Sequence, residues 1–310
     1  MKIYKPKFWS QKRGVLSSIF FPISLIYEFL GFLKKKFTKT YNFEIPIICI
    51  GNIFIGGTGK TPLTIFLTKE LIKIGKNPVV LRKFYKKHLD EHKLIKNYLN
   101  NIILNKSRSK GVMEAIKKNY DAVILDDGFQ DYSINKKLNI ICFNQNQLLG
   151  NELIFPSGPL RQKLVSLKEA QIIIINGIKN LDFEEKLLNV NKKLEIFYSK
   201  YIPINLNEFR GKKLFAFAGI GNPVNFFNLL SENGLDVVRK IEYPDHYKIN
   251  KKEISNIMQY CLENNLQIIT TEKDYFRIQE YKISNLKYLK IKLKLDDAPR
   301  LINKVLKYYE

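Results

Sequence analysis

The chain contains little cysteine. Its three cysteines, Cys49, Cys142 and Cys261, lie far apart in the sequence, and two of them fall in apolar runs. This spacing excludes a disulfide framework and the paired-cysteine patterns of structural zinc sites. We therefore expect three buried free thiols in a protein of a reducing compartment.

Acidic residues are also scarce compared with basic ones. The chain has 29 acidic and 52 basic residues among 310, which gives a formal net charge of +23. Such a charge is typical of proteins that meet nucleic acid, anionic lipid or a phosphorylated substrate. The lysines are spread along the whole chain, however, and no basic–aromatic RNA-binding signature occurs. A coding bias towards lysine, isoleucine and asparagine explains much of the excess, and we expect no nucleic acid partner.

One long hydrophobic run stands out, VLSSIFFPISLIYEFLGFL at residues 15–33. It has 19 residues, a single charge at Glu28, a central Pro22 and basic clusters on both sides. No small-residue cleavage site follows it, so we do not expect a cleaved signal peptide. Its length is at the short limit for crossing a bilayer, and its flanks favour a helix that lies in an anionic cytoplasmic leaflet. A helix packed on the protein core is the alternative.

The stretch GNIFIGGTGKTPL, residues 51–63, has the pattern of a phosphate-binding loop. A β-branched apolar run at 44–50 predicts a buried strand before it, and apolar residues at helical spacing follow as far as Gly75. Strand, glycine-rich turn and helix are the context such a loop needs, although Phe54 stands where the strict spacing has glycine. The predicted nucleotide-binding residues are Phe54, Ile55, Gly56, Gly57, Thr58, Gly59, Lys60 and Thr61.

Each part of this loop has a predicted role. The backbone N–H groups of residues 56–60 can converge on a β-phosphate at the helix N-terminus. Lys60 would contact the β- and γ-phosphates, and the Thr61 hydroxyl would bind Mg²⁺. A glycine-rich turn without a ligand is the alternative interpretation of the same pattern.

A second motif, YDAVILDDGFQ at residues 120–130, predicts a metal site. An apolar strand ends at Asp126 and Asp127, and Gly128 then turns the chain. In a phosphate-loop protein, an acidic residue at such a strand end holds Mg²⁺ directly or through water. Two adjacent carboxylates also repel each other unless a cation or donor lies between them. We therefore predict that Thr61, Asp126 and Asp127 form the metal site.

The order of the predicted elements indicates an α/β fold, with a P-loop NTPase-like parallel sheet and helices on both faces. Strand-like runs alternate with helical segments up to residue 175, and a second alternating block starts at residue 212. The stretch 179–210 between them reads as a connector with one helix or hairpin. We predict a membrane-associated helical segment at 1–40, a P-loop core at 41–205 and a smaller C-terminal α/β lobe at 206–310.

Six motifs occur in order along the chain: GNIFIGGTGKTP, LDDGFQ, FPSGPLRQ, FAGIGNP, YPDHY and TEKD. Together they resemble the tetraacyldisaccharide 4'-kinase family, which phosphorylates the lipid A precursor disaccharide. The resemblance spans nearly the whole chain. It implies a P-loop kinase with a smaller C-terminal lobe, which acts at the cytoplasmic face of the bacterial inner membrane.

The resemblance further implies the reaction and its participants. ATP, with Mg²⁺, would give its γ-phosphate to the 4'-hydroxyl of a tetraacyldisaccharide 1-phosphate, and the product would be lipid IVA. The partners implied are an anionic glycolipid substrate and the cytoplasmic membrane surface, and we expect a monomer.

Candidate catalytic residues come from the same resemblance. Asp90 matches the aspartate proposed to activate the acceptor hydroxyl, His246 matches the histidine that partners it, and Arg108 matches a basic position near the phosphates. Lys60 is the fourth predicted catalytic residue. The family's glycine-rich SRGYG segment is replaced by LRKFYKK at residues 81–87, where Arg82 is kept and the glycines are not.

Two other functions are compatible with parts of the pattern. A membrane-associated regulatory P-loop ATPase would share the loop, the strand-end aspartates and the apolar helix. A guanine-specific switch is disfavoured because Lys273 and Asp274 of TEKD are adjacent, with no residue between them. A nucleic-acid-binding protein is suggested by the net charge alone.

Overall fold

The computed structural model describes residues 5–85, 89–283 and 285–309. The chain divides into two compact units. The large unit consists of Pro6–Phe84, Leu99–Lys200 and Leu293–Glu310, and the small unit contains Tyr85–Tyr98 and Tyr201–Lys292. The altered segment at 81–87 is described only as far as residue 85, so its last two residues lie outside the described residues.

The described residues form helices and strands in alternation. The helices are α1 (Val15–Phe37), α2 (Lys60–Lys73), α3 (Leu89–Tyr98), α4 (Arg108–Lys117), α5 (Leu181–Val190), α6 (Pro223–Glu232), α7 (Lys251–Glu263), α8 (Glu272–Ile278) and α9 (Ala298–Leu306). The strands are β1 (Ile47–Gly51), β2 (Pro78–Lys83), β3 (Ile102–Asn105), β4 (Ala122–Asp126), β5 (Leu138–Asn144), β6 (Ile172–Asn176), β7 (Glu195–Pro203), β8 (Lys213–Ala218), β9 (Asp236–Glu242), β10 (Gln267–Thr271), β11 (Leu286–Leu289) and β12 (Ile291–Leu295).

The large unit is built on an eight-stranded sheet with the order β12-β7-β6-β5-β1-β4-β2-β3. Strand β1 pairs in parallel with β4 and β5, and β2 pairs in parallel with β3 and β4. Every residue of β1, β4, β5 and β6 is buried. Because side chains alternate between the two faces of a strand, complete burial means that both faces are covered. The predicted α/β class with a parallel central sheet is confirmed.

The small unit contains its own parallel sheet, with the order β11-β10-β8-β9. Alternate residues of β8 enter two separate apolar clusters. Phe215 and Phe217 pack with the buried residues of α7, whereas Leu214 and Ala216 pack with those of α6. Helices therefore cover both faces of this sheet as well, so the predicted second α/β lobe is present.

Several segments differ from the sequence-based expectation. The stretch 179–210, expected as a connector with one helix or hairpin, contains the helix α5 and then β7, a strand that extends the main sheet beside β6. Strand β7 is half-buried and carries no continuous apolar run, which is why its pattern was not typical of a strand. Helix α3 groups with the small unit because it packs against α8.

Helix α1 turns small polar residues towards the large unit. Ser17 and Ser24 are buried. The Ser24 hydroxyl donates to the Ile154 carbonyl at 2.9 Å and accepts from the Ser157 backbone N–H at 3.0 Å. The Asn151 amide donates to the Ser17 hydroxyl at 3.1 Å. The helix is therefore attached to the rest of the large unit by hydrogen bonds along a polar stripe.

The apolar side chains of α1 are left on the outside. Its large exposed residues are Val15, Leu16, Ile19, Ile23, Leu25, Ile26, Tyr27, Phe29, Leu30, Phe32 and Phe37. Glu28, the single charge of the apolar run, pairs with Lys163 at 2.6 Å. Among the described residues, α1 is the one helix whose length and composition would allow it to cross a membrane. All three cysteines are buried and free, as the sequence predicted.

We predict that Gly51→Ala destabilises the large unit by about 1–3 kcal/mol, because a well-packed core resists an added methyl group. A Cβ at Gly51 would lie 2.5 Å from the Phe129 Cβ and 3.2 Å from the Phe129 backbone nitrogen. Urea unfolding followed by circular dichroism measures the change. Gly31→Ala is the matched control, since nothing lies within 4 Å of its added Cβ. Equal unfolding midpoints for Gly51→Ala and the unmodified protein would contradict this close packing.

Candidate active site

The loop between β1 and α2 has the backbone of a phosphate-binding turn. Gly56 has φ +135° and Gly59 has φ +95°, conformations that glycine adopts without the strain a side chain would bring. Gly59 immediately precedes α2, which begins at Lys60. The unpaired N–H groups of the first helical turn therefore follow the loop, at the carboxyl end of the central strand.

Asn52 braces this loop from inside. The buried Asn52 amide donates to the Phe54 carbonyl at 2.7 Å and to the Thr58 hydroxyl at 2.9 Å. Phe54 itself is buried in the main core and forms an antiparallel bridge with Leu160. The residue that departs from the strict glycine spacing thus contributes to the core and to a backbone pairing. Asn52 was not among the predicted site residues.

Asp126 ends β4 and is almost completely buried. The strand register places Asp126 next to Arg82 of β2, and the two side chains form an ion pair. The Thr61 hydroxyl lies 3.3 Å from Asp126 Oδ2, and the Thr64 hydroxyl lies 3.4 Å from Oδ1. A buried carboxylate needs such partners, because an unpaired charge in the interior is costly.

Asp127 follows with a left-handed backbone, φ +57°, and its N–H donates to the Ile50 carbonyl at 2.9 Å. Its carboxylate lies 3.5 Å from Lys60 Nζ and 3.0 Å from Arg161 Nη1. Burial opposes the ionisation of Asp127, but the charges of Lys60 and Arg161 outweigh burial and hold its pKa well below the usual range. The Asp127 side chain is 31% exposed, so a ligand can reach it.

Lys60 is enclosed at the start of α2. Its burial lowers the pKa of the ammonium group, while the neighbouring Asp127 carboxylate acts in the opposite direction. Only 13% of the Lys60 side chain is exposed, so its charge is directed into the site and shielded from bulk water.

Arg108 begins α4 and holds the turn that follows β4. Its guanidinium donates to the Asp127 carbonyl at 2.6 Å and pairs with Asp131 at 2.8 Å. Burial raises the pKa of Asp131, but hydrogen bonds from Ser133 and Arg108 lower it to about 2. The predicted basic residue therefore lies beside the strand-end aspartates, where its visible contacts fix the backbone of the turn.

The donor set at the strand end fits Mg²⁺ chemically. A hydroxyl from Thr61 and carboxylates from Asp126 and Asp127 are the hard oxygen ligands that this ion prefers. Among the described residues, no group of three or more His, Cys, Asp or Glu side chains could hold a metal by itself. An ion here would therefore take its remaining ligands from phosphate oxygens and water, as Mg²⁺ usually does.

The small unit brings Asp90 and His246 together. His246 Nδ1 lies 3.4 Å from Asp90 Oδ2, and His246 has a left-handed backbone, φ +60°. Its Nε2 lies 3.3 Å from Lys273 Nζ and 3.7 Å from both Glu91 Oε1 and Asp245 Oδ1. Burial raises the pKa of Asp90, but His246 and the neighbouring cations lower it well below the usual range. The predicted proximity is present, while the catalytic roles of the pair stay predictions.

Two arginines of the sites were absent from the predicted residues. Arg161 contacts Asp127 and lies in the motif FPSGPLRQ, so the motif was the signal that could have identified it. Arg277 forms an ion pair with Asp90 at 2.6 Å and lies three residues beyond the motif TEKD. Neither contact is local in sequence, and spacing alone gives no indication of it.

Comparison with known proteins is consistent with this arrangement. The family model described as Tetraacyldisaccharide-1-P 4'-kinase matches residues 16–310. The chain is 38% identical over 315 residues to a tetraacyldisaccharide 4'-kinase of Pelagibacter ubique (strain HTCC1062), and the alignment covers 100% of this chain and 99% of the relative. It is 32% identical over 325 residues to the tetraacyldisaccharide 4'-kinase of Rickettsia canadensis (strain McKiel), covering 98% and 96% of the two chains.

A solved structure shows the same fold. The crystal structure of LpxK from Aquifex aeolicus in complex with ATP superposes with a TM-score of 0.70 at 23% identity, covering 96% of this chain and 100% of that one. The family model and the two relatives extend over nearly the whole chain, including both groups of candidate site residues. The chain therefore belongs to the tetraacyldisaccharide-1-P 4'-kinase family.

Proposed function

We propose that this protein transfers the γ-phosphate of ATP to the 4'-hydroxyl of a tetraacyldisaccharide 1-phosphate, giving lipid IVA. The observation that carries the proposal is the phosphate loop with Lys60 and Thr61 beside Asp126 and Asp127, in a chain that belongs to this kinase family. Phosphoryl transfer requires mainly that the protein position the reactants, neutralise charge on the phosphates and provide a proton acceptor. The two groups of residues meet these needs.

The nucleotide end of the reaction is assigned to the large unit. Thr61, Asp126 and Asp127 would hold Mg²⁺, which supplies charge neutralisation at the phosphates when it is bound. Lys60 and Arg161 both contact Asp127, and in this proposal they would contact the γ-phosphate oxygens. Asn52 keeps the loop amides in place through its bonds to Phe54 and Thr58.

The proton-accepting end is assigned to Asp90 and His246 of the small unit. In the transfer step the 4'-hydroxyl oxygen forms a bond to the γ-phosphorus, and the bond from this phosphorus to the bridging oxygen breaks. ADP leaves with the electron pair of that bond, and the hydroxyl proton passes to Asp90. The neighbouring cations and His246 hold the pKa of the buried Asp90 well below its usual range, which favours the ionised carboxylate, and His246 Nδ1 lies 3.4 Å from Oδ2.

The membrane end is assigned to α1. A water-facing helix normally exposes polar residues and buries apolar ones, but α1 does the reverse. Its outer apolar side chains and the basic Lys34, Lys35 and Lys36 of its last turn fit the boundary of an anionic bilayer. We infer that the protein acts as a monomer at the cytoplasmic face of the bacterial inner membrane, where its lipid acceptor resides.

The direct test is transfer of radiolabelled γ-phosphate to tetraacyldisaccharide 1-phosphate in mixed micelles. We expect a labelled lipid product that depends on both Mg²⁺ and the acceptor. ATP hydrolysis that proceeds equally without lipid, with no labelled lipid formed, would overturn the proposal and favour a regulatory ATPase.

Lys60→Ala is expected to lower transfer by at least about 100-fold, because the transition state loses a charge on the transferring phosphate. Circular dichroism should show an unchanged fold. Lys73→Ala is the matched control on the same helix, since Lys73 pairs with Glu70 at the exposed surface. Near-normal turnover of a folded Lys60→Ala protein would contradict the assignment of the loop.

Alanine variants of Asp90 and His246 are expected to lower kcat by about 100- to 10,000-fold, the range typical of a general base. The KM for ATP should change little, because both residues are assigned to the acceptor. Single-turnover kinetics on the two single variants and the double variant should show losses that are less than multiplicative. Fully multiplicative losses, or losses confined to the KM for ATP, would separate the two residues functionally.

The double variant Ile26→Glu, Leu30→Glu should leave the membrane fraction for the soluble fraction. Both side chains are exposed on α1, at 60% and 58%, and a charge there opposes insertion. Leu262→Glu is the control, because Leu262 is 73% exposed on α7 of the small unit. Sedimentation after a high-salt wash measures the partition. A double variant that still sediments with membranes would place the anchor elsewhere.

A further inference from the structure

Arg277 of α8 contacts the proposed base, Asp90, and a second carboxylate, and no role has yet been assigned to it. Its Nη2 lies 2.6 Å from Asp90 Oδ2, and its Nε donates to the same oxygen at 3.2 Å. Its Nη1 pairs with Asp274 at 2.6 Å. The Arg277 side chain is only 9% exposed. A guanidinium held between two buried carboxylates has little freedom to move.

The contacts to Asp90 are one-sided. Both Arg277 N–H groups and His246 Nδ1 approach Oδ2. The other oxygen, Oδ1, is buried and accepts no hydrogen bond from the residues that the structure describes. A buried carboxylate oxygen without a hydrogen-bond partner is costly, so Oδ1 is the atom of Asp90 at which an added donor would be most favourable.

Arg277 is itself fixed by the loop after β8. Asp274 Oδ2 accepts from the Gly219 backbone N–H at 2.8 Å and from the Thr271 hydroxyl at 2.7 Å. The Gly219 carbonyl accepts from Arg277 Nη1 at 3.0 Å and from the His246 N–H at 3.3 Å. A Cβ at Gly219 would lie 3.0 Å from Asp274 Oδ1 and 3.2 Å from Arg277 Nη1. Gly219 thus connects Arg277 and His246 through its backbone.

These contacts join two motifs that had no assigned role in the reaction, FAGIGNP and TEKD, to YPDHY, which carries His246. FAGIGNP supplies Gly219, YPDHY supplies His246, and TEKD supplies Thr271 and Asp274. All three converge on Arg277 and, through it, on Asp90.

We propose that Arg277 is a positioning residue for phosphoryl transfer: it holds Asp90 by Oδ2 so that Oδ1 remains available to the acceptor hydroxyl. The inference rests on the proposed function, because it takes Asp90 as the proton acceptor. Arg277 does not contact the reacting atoms in this proposal. Its two effects are to fix the orientation of the carboxylate and to keep it ionised.

Several charged groups form a connected network that includes Asp90. They are Arg277, Lys273 and Asp274 of α8, Asp245 and His246 of the loop after β9, and Glu91 of α3. Arg277 is the cation nearest to Asp90 within this set, at 2.6 Å. Loss of a positive charge beside a carboxylate raises its pKa. If the reaction needs ionised Asp90, activity then begins to fall at a higher pH when the solution is acidified.

The experiment compares Arg277→Gln, Arg277→Lys and the control Arg300→Gln in the full chain. Arg300 pairs with Glu195 at 3.3 Å and is 56% exposed, so its loss should change neither kcat nor the pH profile. For Arg277→Gln we expect kcat to fall by about 10- to 100-fold, part of what a general base contributes. The KM for ATP should stay within about twofold, and the acidic limb of the kcat profile should move to higher pH.

Arg277→Lys separates charge from geometry. A lysine ammonium keeps the positive charge but cannot hold Asp90, Asp274 and the Gly219 carbonyl in the fixed geometry of a guanidinium. We expect its acidic limb to return towards that of the unmodified protein, while kcat remains reduced. Thermal melting monitors the fold of each variant, and Arg277→Lys decides the outcome if Arg277→Gln melts early.

Two results would overturn the proposal. One is a kcat and pH profile for Arg277→Gln equal to those of the unmodified protein, which would make Arg277 a structural ion pair. The other is a folded Arg277→Lys protein with undiminished kcat, which would show that the guanidinium geometry is not needed. Either result leaves the proposed function standing, whereas absence of lipid phosphorylation by the unmodified protein would refute the function itself.

Discussion

The buried carboxylate of Asp126, at the end of strand β4, constrains the positions of the neighbouring strands and of α2. Asp126 has almost no contact with solvent, and an unpaired charge at such a position would cost several kcal/mol. Arg82 on the neighbouring strand offsets that cost, and hydroxyls from α2 approach both carboxylate oxygens. The register of β4 against β1 and β2 is thereby tied to the position of α2, and the position of α2 sets that of the phosphate loop.

The small unit also contains a buried carboxylate that is paired with an arginine. Asp90 is buried and paired with Arg277, as Asp126 is buried and paired with Arg82. In each case an arginine reaches the carboxylate from another element, so tertiary structure and charge balance depend on each other. Breaking such a pair leaves one buried charge uncompensated, which costs more than the pair contributes. Both proposed site regions therefore contain a carboxylate that is inseparable from the local fold.

Much of this architecture could be predicted from local sequence. The strands β1 and β4 are continuous apolar runs, and the glycine-rich turn and the aspartate pair follow them directly. Strand β7 could not be predicted, since its half-buried pattern differs from that of a buried parallel strand. The contacts Arg161–Asp127 and Arg277–Asp90 join residues 34 and 187 positions apart, and no local pattern encodes them. The proximity of Asp90 and His246 was predicted from the family resemblance rather than from their own surroundings.

The serines of α1 have a consequence for how the protein would meet its acceptor. Ser17 and Ser24 fix which side of α1 faces the rest of the large unit. The apolar side of the helix therefore has a fixed orientation. A glycolipid with several acyl chains stays within its leaflet, because removal of each CH₂ from the bilayer costs about 0.8 kcal/mol. An enzyme held in the same leaflet by α1 would search for that lipid by lateral diffusion in two dimensions. Encounter frequency would then depend on the surface density of the lipid in the leaflet and not on its vanishing concentration in water.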